Sequence, residues 1–233
     1  MSTQEGIAEL YARGSLVKIC GLREPEHAVA AAEAGADVLG FIFAPARRQV
    51  TAEQAGACIA AARQAKPGIL ACGVFVDASA AAIAEVVRLA GLDLVQLSGS
   101  EVPSFVADLP VPAVKALRPA PGVAAEEILG EISTFRQAPV PPVAFLLDAY
   151  SATAAGGTGE RVDWGLAAKV GAEMPVMLAG GLDPENVAKA VAQVRPLGVD
   201  VSSGVEVEGR KAGERIRAFV SAARAAFAAT ASP

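Results

Sequence analysis

Two groups able to move protons close short apolar runs in this chain. Cys20 ends Val17-Lys18-Ile19-Cys20 and is followed by Gly21, while Asp148 ends Leu146-Leu147-Asp148 and is followed by Ala149. A thiolate can abstract a proton or attack carbon, and a carboxylic acid can deliver a proton. A free cysteine titrates near about 8.5, so a base working at neutral pH needs a cation nearby. Lys18 lies two residues before Cys20, on the same face of an extended strand, where its ammonium would lower the thiol pKa. A structural ion pair is the other role open to Lys18. Asp148 has the opposite requirement, because it holds a proton only if partial burial raises its pKa. An acid and a base separated by environment suit proton transfer on a small molecule.

Both groups must be brought to one place, and the pattern of elements says how. Short β-type runs at 16–20, 38–43, 69–76, 94–97, 113–117, 144–148, 175–179 and 198–202 alternate with helical, Ala-rich patterns near 24–34, 51–65, 79–90, 102–108, 124–135, 163–170, 184–193 and 212–228. Eight such repeats without a break in composition predict a (β/α)8 TIM barrel over 16–230, preceded by an extension at 1–15. Within that extension, 4–13 reads either as a helix over the barrel bottom or as a loose tail. A doubly wound open sheet fits less well, since its first turn would carry a glycine fingerprint that this chain lacks. Pro25 and Pro184 suit first helical positions, Thr51 an N-cap, and Gly35 and Gly91 C-terminal caps.

In such a barrel the active site lies at the C-terminal ends of the strands. Those ends carry Cys20, Arg47 and Arg48, Asp77, Gln96 and Ser98, Lys115 and Arg118, Asp148, and Asp200. Three glycine-rich ends follow strands 6, 7 and 8: Gly156-Gly157-Thr158-Gly159, Gly180-Gly181 and Ser203-Gly204. Loops after strands 7 and 8 of a barrel, with the start of a short extra helix, commonly hold a phosphate. Gly157, Thr158, Gly159, Gly180, Gly181, Ser203 and Gly204 are therefore expected phosphate contacts, against the plainer reading of ordinary tight turns.

The ordered set of segments resembles the phosphoribosylanthranilate isomerase family. It comprises Lys18-Ile19-Cys20-Gly21, Gly40-Phe41-Ile42-Phe43, Gly73-Val74-Phe75-Val76, Leu146-Leu147-Asp148, Gly156-Gly157-Thr158-Gly159, Ala179-Gly180-Gly181-Leu182 with Pro184-Glu185-Asn186-Val187, and Val199 through Glu206. The resemblance runs from about residue 16 to 220. It implies an Amadori rearrangement of N-(5-phosphoribosyl)anthranilate in tryptophan biosynthesis. Asp148 would protonate the furanose ring oxygen and Cys20 would remove the proton from sugar C2. Arg48 would meet the anthranilate carboxylate or the sugar, with Arg47 as the alternative, and Lys18, Gln96 and Asp200 would complete the substrate contacts. Two positions depart from the family pattern. Ser98 stands where a histidine is usual, and Ala212 where an aspartate usually follows Gly-x-Lys. Both point to altered substrate binding rather than lost activity.

Composition narrows the alternatives. The formal net charge is -5 and 53% of residues are hydrophobic, which fits a small-molecule phosphosugar substrate and argues against a nucleic-acid partner. No apolar run reaches membrane-spanning length. Three unpaired-looking cysteines, Cys20, Cys58 and Cys72, fit a reducing, cytoplasmic setting. A single histidine, His27, excludes a multi-histidine metal site, and the proposed proton transfers need no cofactor. A monomer or a homodimer is expected. The competing functions are a non-catalytic phosphosugar-binding barrel, another phosphate-binding barrel isomerase, and a scaffold subunit.

Overall fold

Strands buried on both faces become apolar along their whole length, and helical crossovers make them parallel. The computed structural model describes residues 3–149 and 163–230. In it eight such strands close a barrel in sequence order: β1 Leu16–Ile19, β2 Val38–Ile42, β3 Leu70–Phe75, β4 Leu94–Leu97, β5 Ala113–Leu117, β6 Ala144–Leu147, β7 Met177–Leu178 and β8 Gly198–Val201. Closure is made by β8 against β1, with Lys18 opposite Asp200. The helices are α1 Thr3–Arg13, α2 Pro25–Ala34, α3 Ala52–Ala65, α4 Ala80–Ala90, α5 Ala125–Arg136, α6 Trp164–Glu173, α7 Val187–Val194 and α8 Gly213–Thr230. Among the described residues no helix is long and apolar enough to cross a membrane.

The period of two along each strand divides the core. On β1, Val17 and Ile19 join the layer beneath the helices, while Leu16 joins the barrel interior with Val38, Leu94, Val114, Leu146 and Met177. Ile7 and Tyr11 of α1 enter that same interior cluster, against Leu70, Val143 and Leu197 at the strands' N-terminal ends. The extension is thus a helix across the barrel floor. This leaves the C-terminal mouth to the polar side chains.

Local signals set the helix ends. Pro25 occupies the first turn of α2, Thr51 makes a capping box with Gln54, and Gly35 and Gly91 end α2 and α4 in the left-handed conformation. Three expectations are corrected, and one element was not expected. The segment expected as a helix at 102–108 is a 3-10 turn over Pro103–Asp108, too short between Pro103 and Pro110 to pay for an α-helical nucleus. The helix expected from 184 starts at Val187, so Pro184 is not a first helical residue. Asn186 takes the Asp183 N–H and donates to the Gly181 carbonyl, which holds 183–186 as a turn. The strand expected at 175–179 narrows to Met177–Leu178, although the Val176 carbonyl still takes the Leu197 N–H and the Ala179 N–H still donates to the Leu147 carbonyl. Finally, a small antiparallel hairpin, β9 Glu206–Val207 with β10 Arg210–Lys211, precedes α8.

Candidate active site

Cys20 is the first residue past β1, and its N–H still donates to the Val201 carbonyl at 2.8 Å, so the strand geometry carries through it. A bare Gly40 makes room for it: a Cβ there would stand 2.8 Å from Cys20 Sγ and 3.0 Å from its Cα. One pleat below, Lys18 Nζ is 2.9 Å from Asp200 Oδ2, a pair almost wholly buried. Burial pushes the Lys18 ammonium down, but Asp200 and the two neighbouring thiols, Cys20 and Cys72, more than reverse this, and its pKa ends well above the ordinary value. Lys18 therefore stays charged. Burial pushes the Cys20 thiol up; Lys18 and Lys211 pull it down without fully offsetting that. The expected tuning by Lys18 has the expected sign and is outweighed.

Asp148 is the first residue past β6 and its N–H donates to the Leu117 carbonyl at 3.0 Å. Its carboxylate takes the Ala149 N–H at 2.8 Å and lies 3.8 Å from Arg118 Nε. Burial raises its pKa, Arg118 opposes this, and the Asp200 charge adds to the rise. Cys20 and Asp148 thus both sense the Lys18–Asp200 pair from one interior.

Arg48 is buried and Arg47 is half exposed. The Arg48 stem crosses Gly21, where a Cβ would come within 2.6 Å of its Cδ, so the guanidinium arm passes directly over the end of the Cys20 strand. Glu206 receives Arg48 Nε and Nη2 at 2.5 and 2.9 Å and Arg47 Nη2 at 2.6 Å, with Lys211 Nζ at 3.4 Å. Burial would raise the Glu206 pKa, but these cations hold it at about 2. Lys211 is lowered to about 8 by burial, against the pull of Glu206.

At strands 7 and 8, Gly180 and Gly181 have φ of +83° and +65°, which glycine alone adopts freely. A Cβ on Gly180 would stand 2.6 Å from the Ala149 nitrogen. A Cβ on Gly204 would overlap the Leu182 carbonyl oxygen, so the two turns touch backbone to backbone. Ser203 opens a 3-10 turn, Ser203–Val205, directly after β8. The Gly157, Thr158 and Gly159 contacts expected from the strand 6 side lie outside the described residues.

A family model for N-(5'phosphoribosyl)anthranilate (PRA) isomerase matches residues 17–222. The chain belongs to this family. The N-(5'-phosphoribosyl)anthranilate isomerase of Roseiflexus castenholzii is 46% identical over 217 residues, covering 91% of this chain and 99% of the relative. That of Roseiflexus sp. strain RS-1 is 43% identical over 215 residues, covering 90% and 98%. Among solved structures, phosphoribosyl anthranilate isomerase from Thermotoga maritima superposes with a TM-score of 0.76 at 31% identity, covering 90% of this chain and 98% of that one. A phosphoribosyl anthranilate isomerase in complex with reduced 1-(o-carboxyphenylamino)-1-deoxyribulose 5-phosphate gives 0.74 at 30% identity, with the same coverage.

Lys18, Cys20, Gln96, Asp148 and Asp200 lie on or just past the barrel strands toward their C-terminal ends, with Arg48 crossing beside Cys20. Gln96 Nε2 donates to Ser98 Oγ at 3.1 Å, so the serine at the usual histidine position holds the glutamine amide. Gln96 Oε1, Asp200 Oδ1 and Ser202 Oγ are buried without a hydrogen-bond partner among the described residues. Sequence reasoning missed Glu206 and Lys211 as site residues. It also missed a buried pair, Lys115 Nζ to Glu101 Oε2 at 2.8 Å, which ties the ends of β4 and β5 together. Glu101 in turn takes the N–H groups of Asp77 and Gly99. Only Glu101 carried a local signal, as a charge shortly past β4; Lys115 lies within β5, and Glu206 and Lys211 lie on the hairpin beyond β8.

Proposed function

We propose that residues 16–230 form the catalytic unit and isomerise N-(5-phosphoribosyl)anthranilate to 1-(2-carboxyphenylamino)-1-deoxyribulose 5-phosphate. The isomerase activity in tryptophan biosynthesis is that of the family. The assignment of its steps to residues is ours. Asp148 gives its proton to the furanose ring oxygen as the C1–O bond breaks, and the anthranilate nitrogen lone pair forms the C=N bond. The Cys20 thiolate takes the C2 proton, and those electrons make an enolamine. Its enol then tautomerises to the C2 ketone as C1 is protonated, so no atoms are gained or lost.

The observation that carries this reading is the pair of strand ends. Cys20 after β1 and Asp148 after β6 end strands at one mouth; burial raises the Asp148 pKa, which suits an acid, while the Lys18 and Lys211 cations favour the Cys20 thiolate against its burial. The Gly180-Gly181 and Ser203-Gly204 turns offer backbone N–H groups to the phosphate, and Gly157, Thr158 and Gly159 are assigned to its other side. Arg48 faces the anthranilate carboxylate, while Lys18, Gln96 and Asp200 line the sugar, where the unpartnered Gln96 and Asp200 oxygens suit hydroxyl donors. The chain is proposed to act in the cytoplasm, as a monomer or homodimer, and a dimer is named for the Thermotoga maritima relative.

The test is turnover of freshly made substrate followed by fluorescence. Cys20→Ser and Asp148→Asn should each lower kcat by about a thousandfold or more while KM stays within about tenfold, as expected when only transition-state stabilisation is lost. Near-normal kcat in either variant removes that residue from its role, and no turnover by the folded wild type defeats the whole reading.

A further inference from the structure

The hairpin after β8 directs its contacts toward the site. Glu206 on β9 pairs across to Lys211 on β10, and Val207 to Arg210. Glu208 and Gly209 turn the chain with φ of +50° and +79°, both positive, as in the two-residue turn whose twist matches a hairpin. The hairpin is fastened on three sides. The Gly209 carbonyl at its tip takes Arg47 Nη1 at 2.6 Å, and Arg210 reaches Glu24 at 3.0 Å. At its base, Glu206 grips Arg48 by two bonds and Lys211 donates to the Ser202 carbonyl at 2.7 Å.

Glu206 and Lys211 are both nearly inaccessible, at 7% and 4% side-chain exposure. Burying them is costly unless they are paired and bonded, and barrel closure itself uses neither. What they hold is the useful part. Arg48 is the arm that crosses Gly21 beside Cys20, and Ser202 is the residue immediately before the Ser203-Gly204 turn. One carboxylate and one ammonium, facing each other across a hairpin, therefore link the two loops assigned to opposite ends of the substrate. An arginine fork is most selective for a carboxylate when its plane is fixed, and a bidentate partner fixes it. Three cations around one carboxylate also leave the cluster with net positive charge, which suits an anionic group arriving there.

We propose that Glu206 and Lys211 are positioning residues that hold Arg48 at a fixed distance from the β8 phosphate turn, so that carboxylate and phosphate are gripped by a single rigid strut. This rests on the reading of Arg48 as the carboxylate contact. A misplacement of about 1 Å in such a group can cost about a hundredfold in rate, so the effect is measurable.

The experiment compares the full chain on two substrates, N-(5-phosphoribosyl)anthranilate and N-(5-phosphoribosyl)aniline, which lacks the carboxylate. The readout is the ratio of their kcat/KM values, which a general loss of folded enzyme leaves unmoved. Arg48→Met should collapse the wild-type preference for the carboxylated substrate. Glu206→Gln should reduce that ratio by about tenfold, chiefly through KM for the carboxylated substrate. Should the Gln variant fail to fold, Glu206→Asp keeps the charge but falls one methylene short of Arg48, and should reduce the ratio by at least about threefold. A wild-type ratio in the folded Glu206 variant, with Arg48→Met collapsed, overturns the positioning role and leaves the Arg48 reading standing. A wild-type ratio in Arg48→Met overturns both.

Discussion

At the scale of single residues, the proposed acid–base pair depends on which of two protons leaves first. Burial raises the pKa of Asp148 and of Cys20, and a cysteine starts from a far higher ordinary value than an aspartate. The proposed mechanism needs Asp148 protonated and Cys20 ionised, the reverse of the order in which the groups titrate. Below the Asp148 pKa, the thiolate fraction falls tenfold per pH unit as pH falls. Between the two values, the thiolate gained is balanced by the acid lost. Above the Cys20 pKa only the acid is lost. The kcat/KM profile should thus be bell-shaped, with its acid limb at the Asp148 pKa and its alkaline limb at the Cys20 pKa. In Asp148→Asn, which cannot titrate, residual kcat/KM should rise with pH until Cys20 is ionised and then level off. An alkaline fall that survives this substitution would show that another group sets it.

At the scale of elements, the strands were legible because they are apolar and end on polar groups. Cys20, Asp148, Asp200 and the Gly180-Gly181 turn stood out for that reason. The hairpin was not legible. Glu206-Val207-Glu208-Gly209-Arg210-Lys211 has no apolar face, and Glu208 is an unusual residue for positive φ, so neither alternation nor turn chemistry marked it. It is held by long-range ion pairs that local pattern cannot encode. The same region bears on Ala212. Its carbonyl takes the Ile216 N–H at 2.9 Å, which places it at the N-cap of α8 with no side-chain oxygen for the free N–H groups. Ala212→Asp should stabilise the chain by about 1 kcal/mol, raising Tm by roughly 2–4 °C in a chain of this size. An unchanged or lower Tm in thermal unfolding would show that the N–H groups are already satisfied.

At the scale of the whole molecule, the barrel separates function and stability by end. The chain is acidic overall, and at the C-terminal mouth Lys18, Arg47, Arg48 and Lys211 are interleaved with Asp200 and Glu206. The other end is closed by α1, which lies outside the family match at 17–222. Tyr11 fills that floor at 2% exposure, and its hydroxyl is buried with no hydrogen-bond partner among the described residues. Burial pushes the phenol pKa upward, so the group stays neutral. An unpaired buried hydroxyl costs free energy, whereas the ring contributes apolar packing. Tyr11→Phe should therefore be neutral or stabilise by up to about 1 kcal/mol, and Tyr11→Ala should cost about 3 kcal/mol or more through the cavity it leaves. Urea unfolding of both variants checks the pair, with kcat measured on the folded enzymes. If Phe destabilises as much as Ala, the hydroxyl rather than the ring holds the floor. A large fall in kcat for Tyr11→Phe would mean that the floor communicates with Lys18 above it, and that the two ends are not independent.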